Sequence, residues 1–162
     1  MNETLRLYPA VPFNVRLALH DTTLPRGGGR DGSQPVGILK NTPIGYSTLV
    51  MQRRPDLYPA GAEPELFSPE RWYTWQPKPW TYIPFNGGPR ICIGQQFALT
   101  EMGYTLVRVL QRFERVEGLM GEVDGGVPLM RTEIVLQPAQ GVVAGFYERE
   151  GEKVQGVGFV MS

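Results

Sequence analysis

Apolar and polar positions alternate with different periods in different parts of the chain. From Gln95 to about Arg115, apolar side chains recur at Leu99, Met102, Leu106, Leu110 and Phe113. Steps of three and four predict one long helix with a buried face, leaving Glu101, Arg108 and Arg112 to water. Upstream, Phe13, Val15, Leu17 and Leu19 alternate with Asn14, Arg16 and Ala18. That period of two predicts a half-buried strand within Val11–Leu19. Glu3 to Tyr8 reads as the last turns of a helix stopped by Pro9, expected to begin upstream of the given sequence because so short a helix is marginal alone. Val36–Leu39 and Thr42–Ser47 read as short strands, and Thr48–Arg53 as a helical turn before Pro55. Thr132–Leu136 and Val142–Tyr147 read as a hairpin around Pro138-Ala139-Gln140-Gly141.

Between these elements the periodicity fades. Arg26 to Gly32 reads as a surface loop; its glycines and arginines could bind phosphate, but no G-K-[ST] and no following helix support that. Asp56 to Pro84 is a Pro- and Trp-rich meander in which Trp72, Trp75 and Trp80 pack the coil against the body. With one long helix, small strand pairs and this meander, the fold class is α+β.

Composition narrows the function by exclusion. Lys+Arg and Asp+Glu both number 16, so no net charge argues for nucleic acid or an anionic membrane as partner. Thirteen of the basic residues are arginine, which suits paired or carboxylate-binding roles. The length of 162 residues fits one domain. No apolar run approaches the roughly 18–20 residues of a membrane span, and the N-terminal residues lack the apolar core of a signal peptide. His20, the only histidine, lies in a turn-like run and reads as a solvated loop residue.

The single cysteine, Cys92, lies in Phe85-Asn86-Gly87-Gly88-Pro89-Arg90-Ile91-Cys92-Ile93-Gly94, at the mouth of the long helix. Free N–H groups and the positive end of a helix dipole favour a thiolate there. One thiolate without a partner suits an axial ligand of haem iron; a buried free cysteine is the plainer alternative. Phe85, Gly88, Arg90, Cys92 and Gly94 spell F-x-x-G-x-R-x-C-x-G, which resembles the haem-binding loop of the cytochrome P-450 family. Each position has a physical task. Gly88 permits a tight turn at positive φ, and Gly94 lets the helix approach a flat porphyrin. Phe85 can shield the sulfur, and Arg90 offers a fork for a haem propionate.

The resemblance extends from about Glu3 to Tyr147, with residues 148–162 left as a tail of unknown role. Glu3-Thr4-Leu5-Arg6 matches the family's E-x-x-R, and Phe67-Ser68-Pro69-Glu70-Arg71-Trp72 supplies the arginine that joins it. The resemblance implies a buried, bidentate carboxylate–guanidinium network of Glu3, Arg6 and Arg71 that supports the haem pocket. It further implies haem b (iron protoporphyrin IX) on Cys92, Arg16 as a second propionate partner, and Val11, Pro12 and Phe13 as substrate contacts. The terminal hairpin would send its tip into the substrate cavity. Leu24-Pro25-Arg26-Gly27-Gly28-Gly29 and Gln95 to Glu101 look most like the fungal alkane and fatty-acid hydroxylase branch. The implied activity is a monooxygenase that takes electrons from an NADPH-dependent reductase and inserts one oxygen atom of O₂ into a C–H bond of a hydrophobic substrate. The family's distal helix has no counterpart here, so the chain is expected to be a C-terminal, haem-ligating part; the alternative is a non-catalytic fragment that binds haem weakly or not at all. A full-length parent would sit at the endoplasmic reticulum membrane, whereas this chain, without an anchor, would be cytoplasmic or of unknown location.

Overall fold

A computed structural model describes residues 1–125 and 128–148 of the chain. The tail predicted over residues 148–162 lies outside these apart from Glu148, which pairs with Arg112 at 2.5 Å. Four helices and eight strands follow one another along the described residues: α1 (Asn2–Leu7), β1 (Phe13–Leu17), β2 (Thr22–Gly28), β3 (Gln34–Ile38), β4 (Pro43–Ser47), α2 (Thr48–Met51), α3 (Gln95–Arg112), β5 (Arg115–Gly118), α4 (Gly121–Asp124), β6 (Met130–Thr132), β7 (Leu136–Pro138) and β8 (Ala144–Tyr147). The strands form antiparallel pairs, β1 with β4, β2 with β3, β5 with β8 and β6 with β7. Among the described residues no helix is long and apolar enough to cross a membrane.

Two short helices hold each other by their ends. The last turn of α1 leaves carbonyls that no further turn can satisfy once Pro9 stops the chain. Gln52 and Arg53, just past α2, supply the missing donors. Gln52 Nε2 donates to the carbonyls of Leu5 (3.1 Å) and Arg6 (2.9 Å), and Arg53 Nη2 donates to that of Leu7 (2.6 Å). Gln52 Oε1 accepts from the Ile83 amide at 2.9 Å, which ties the meander to the same point. α2 itself starts on Ser47, whose hydroxyl accepts from the Val50 amide at 3.2 Å. The fully buried side chains cluster here: Glu3, Arg6, Leu7, Pro9, Thr48 and Gln52.

Several expectations need correction. The long helix ends at Arg112, and Arg115 opens strand β5. None of its residues is buried: Leu106 and Leu110 are exposed, Leu99 and Met102 are half-buried, and Phe113, just past the helix, packs against Phe146 of β8 with ring centroids 4.9 Å apart. On β1 the alternating apolar residues Phe13, Val15 and Leu17 are likewise all exposed. Its polar residues, Asn14 and Arg16, turn instead toward the cysteine loop. The predicted terminal hairpin does not form: β7 pairs with β6 across a turn at residues 133–135, and β8 pairs with β5. The glycine stretch is partly strand, since Arg26, Gly27 and Gly28 belong to β2. Its ladder slips between Leu24 and Gly28, where Pro25 has no N–H to offer and Gly27 takes φ 118°.

Candidate functional site

The chain from Phe85 to Gly94 doubles back on itself ahead of α3. Asn86 and Gly88 both adopt the left-handed conformation, at φ 63° and 65°, which reverses the chain twice within three residues. A short 3-10 turn over Gly88–Arg90 follows. The Cys92 amide then donates back to the Phe85 carbonyl at 2.9 Å, and the Cys92 carbonyl accepts from the Gln95 amide at 3.3 Å. The sulfur is thereby fixed at the helix entrance as a free, exposed thiol. A Cβ on Gly94 would sit 3.9 Å from Cys92 Sγ, so the bare glycine keeps space open beside the sulfur. Trp80 lies against the turn, and a Cβ on Gly87 would come within 2.5 Å of its ring.

Beside the loop is a polar pocket of about 320 Å³, lined by Asn14, Arg16, Asn86, Pro89, Arg90 and Ile91. It brings Arg16 of β1 and Arg90 of the loop to one cavity although 74 positions separate them in the sequence. Arg16 Nη1 donates to its neighbour's carbonyl, that of Val15, at 2.8 Å, and its guanidinium lies over the Tyr46 ring, 5.5 Å from the centroid. Two cations lining one pocket, with no acid among its lining residues, suit a ligand bearing carboxylates.

Below the loop, Glu3 and Arg6 of α1 meet two-pronged, Nε to Oε2 and Nη2 to Oε1, both at 2.8 Å. Arg71 joins Glu3 Oε1 through Nε alone, at 3.1 Å, while its Nη2 donates to the carbonyls of Glu63 and Leu66. The expected bidentate geometry therefore holds for Arg6 and not for Arg71. The pattern of charges gave no sign of three further members. Trp72 Nε1 donates to Glu3 Oε2 at 2.9 Å, Tyr58 accepts from Arg6 Nη1 at 3.0 Å, and Gln52 places its carbonyl beside both Arg6 and the Tyr58 hydroxyl. Trp72 directly follows Arg71 in sequence, and that adjacency was the one available signal. Burial pushes the Glu3 carboxyl up, but hydrogen bonds from Arg6, the Ser68 amide and Trp72, with the Arg6 charge, outweigh it and hold the pKa at about 2. For Arg6, burial works against the charged form and is overcome by Glu3 and Tyr58, so its pKa is raised. Burial, with Glu3 nearby, pushes the Tyr82 phenol up against the opposing charge of Arg6.

The expected substrate-contact residues diverge. Phe13 is exposed and Val11 half-buried, but Pro12 is buried, and its carbonyl accepts from the Ser47 hydroxyl at 3.0 Å. The β6–β7 hairpin comes to this segment, with the Leu136 amide donating to the Ala10 carbonyl at 2.8 Å.

Comparison with known proteins bears on this geometry. The Cytochrome P-450 family model matches residues 1–140. The chain is 59% identical over 152 residues to the cytochrome P-450 monooxygenase pvhE of Talaromyces variabilis, covering 91% of this chain and 28% of that protein. It is 52% identical over 117 residues to cytochrome P-450 52A13 of Debaryomyces hansenii, covering 72% of this chain and 22% of the other. Among solved structures, the crystal structure of the cytochrome P-450DA heme domain superposes with a TM-score of 0.73 at 25% identity, covering 92% of this chain and 30% of that one. The chain thus spans less than a third of the length of each of these proteins.

Proposed function

Because the chain belongs to the cytochrome P-450 family, we propose that Cys92 is the axial thiolate of a haem b and that the chain is the haem-ligating part of a monooxygenase. The observation that carries this reading is the exposed sulfur of Cys92, fixed by its amide on Phe85 and flanked by a pocket holding two guanidinium groups. The residues fit the group. A flat macrocycle needs an approach free of side chains, which Gly94 leaves open, and its carboxylates need cations at one edge, which Arg16 and Arg90 offer. When bound, the haem would supply thiolate-assisted cleavage of dioxygen and insertion of one oxygen atom into a C–H bond.

The chain's own residues bind and orient. Arg90 and Arg16 take the propionates, Phe85 lies half-buried at the loop entry, and Glu3, Arg6 and Arg71 hold the meander beneath it. Val11 and Phe13 are offered to a hydrophobic substrate, on the segment that the β6–β7 hairpin reaches through the Leu136 amide and the Ala10 carbonyl. A long-chain alkane or fatty acid follows from the resemblance of Leu24–Gly29 and Gln95–Glu101 to the fungal hydroxylase branch, and electrons come from an NADPH-dependent reductase. The test is NADPH consumption with a reductase, set against hydroxylated product from a long-chain fatty acid. Hydroxylated fatty acid formed in step with consumption supports the substrate class; product from an aromatic substrate with none from the fatty acid overturns it, and consumption with no product from either is what the second reading predicts.

A second reading has its own observation. Phe13, Val15 and Leu17 of β1 and Leu106 and Leu110 of α3 are exposed in this chain, so the 162-residue polypeptide alone would bind haem weakly or not at all and would not couple oxygen reduction to substrate oxidation, because water would reach the bound group.

A further inference from the structure

Three polar side chains connect the cysteine loop to the β1–β4 pair, and the motifs single out none of them as a link. Asn14 of β1 and Tyr46 of β4 face each other directly in register. The Tyr46 hydroxyl donates to Asn86 Oδ1 at 2.7 Å, and Asn86 Nδ2 donates to Asn14 Oδ1 at 3.2 Å. Asn86 stands six residues before Cys92 at positive φ, so its backbone reverses the loop while its side chain reaches out of it. Tyr46 has a second contact, because the Arg16 guanidinium lies over its ring. One phenol therefore touches both the cation of β1 and the loop that carries Arg90 and the sulfur. The run of donors ends at Asn14 Nδ2, which is buried next to the polar pocket with no partner among the described residues. A buried donor left unpaired costs free energy, so its retention at this spot calls for a role.

We propose that Tyr46, Asn86 and Asn14 are positioning residues that set the spacing between Arg16 and Arg90, and so the seat of the macrocycle on Cys92. The inference rests on the haem reading above and adds to it a link between sheet and loop. Without the link, Arg16 would lose the ring under it and the loop would lose its only side-chain hydrogen bonds to β1 and β4 among the described residues. The sulfur would keep its own backbone anchor on Phe85, so ligation itself would survive.

Tyr46→Phe removes the hydroxyl and keeps the ring. Asn86→Gly removes the side chain at a φ that glycine prefers, which separates side-chain from backbone effects. In the haem-loaded protein, the rate of haem transfer to an excess of a haem-scavenging protein is measured for both variants and their combination, with the propionate bending bands in resonance Raman and the melting temperature of the protein. The expected result is haem loss about threefold to tenfold faster in each single variant, as for one net hydrogen bond. The double variant should be no faster than the worse single one, with shifted propionate bands and a retained long-wavelength band in the reduced carbon monoxide complex. A purely structural role would lower the melting temperature and leave the propionate bands in place, which would overturn the proposal. So would wild-type rates within about twofold, or rate increases that multiply as for independent sites. A wild-type protein lacking the thiolate band would remove the haem reading and this inference together, a result distinct from normal spectra with unchanged rates.

Discussion

Glu3 gathers donors from four residues onto one carboxylate: Arg6, Ser68, Arg71 and Trp72. Its pKa is held at about 2, below the ordinary 4.5, so folding favours the ionised form. A depressed carboxyl contributes stability that is fully present above its unfolded value and is lost as pH falls through the folded one. Urea unfolding should accordingly show a loss on the order of 3 kcal/mol between about pH 4.5 and pH 2. Glu3→Gln should flatten that slope while lowering stability at neutral pH, because Arg6 is then buried without its counter-charge. Arg71→Ala, at a side chain only 11% exposed, should cost on the order of 1.5–3 kcal/mol at pH 7, as for one charge-assisted hydrogen bond, because Glu3 keeps Arg6 as its counter-charge; no measurable cost would show the pair to be incidental. The charged members of this cluster were legible only through the family resemblance, since the spacing of Glu3 and Arg6 by itself fits an ordinary exposed pair. Gln52, Tyr58 and Trp72 were not. They act by hydrogen bonds between segments far apart in the chain, and such bonds leave no period in a sequence.

At the level of elements, periodicity identified strands and helices better than it identified their partners. β8 lies near its predicted place but pairs with β5, whereas the predicted strand Thr132–Leu136 falls mostly on the turn between β6 and β7. Alternation marks a strand but carries no information on which edge it meets. β2 was hidden because Pro25 and the glycines after it are turn residues in most settings, and here a slipped ladder accommodates them. The contact of Gly87 with Trp80 gives a test at this scale. Gly87→Ala would place a Cβ 2.5 Å from the indole, so either Trp80 or the loop must move. Thermal unfolding should show a loss of about 1–3 kcal/mol, largely recovered in Gly87→Ala/Trp80→Leu. Equal losses with and without Trp80 would mean that the loop, not the indole, takes the strain.

For the molecule as a whole, the buried centre is small and polar, and the large apolar surfaces lie elsewhere. Leu7 is 1% exposed whereas Leu110 is 70% exposed. Leu7→Ala should therefore cost roughly 2–5 kcal/mol, while Leu110→Gln in this polypeptide should stay within about 0.5 kcal/mol, as read from denaturant midpoints. The helical period of α3 predicted a buried face, yet none of its residues is buried, because period alone does not say which segment covers a face. The same surfaces leave Cys92 and the Arg16–Arg90 pocket open to a ligand, and the central claim is that this ligand is haem bound through sulfur. The most direct measurement is the absorption spectrum of the reduced carbon monoxide complex after haem reconstitution, for the wild-type protein and for Cys92→Ser. Thiolate ligation predicts a long-wavelength Soret band in the wild type that is lost in the variant; an identical band in both would contradict it.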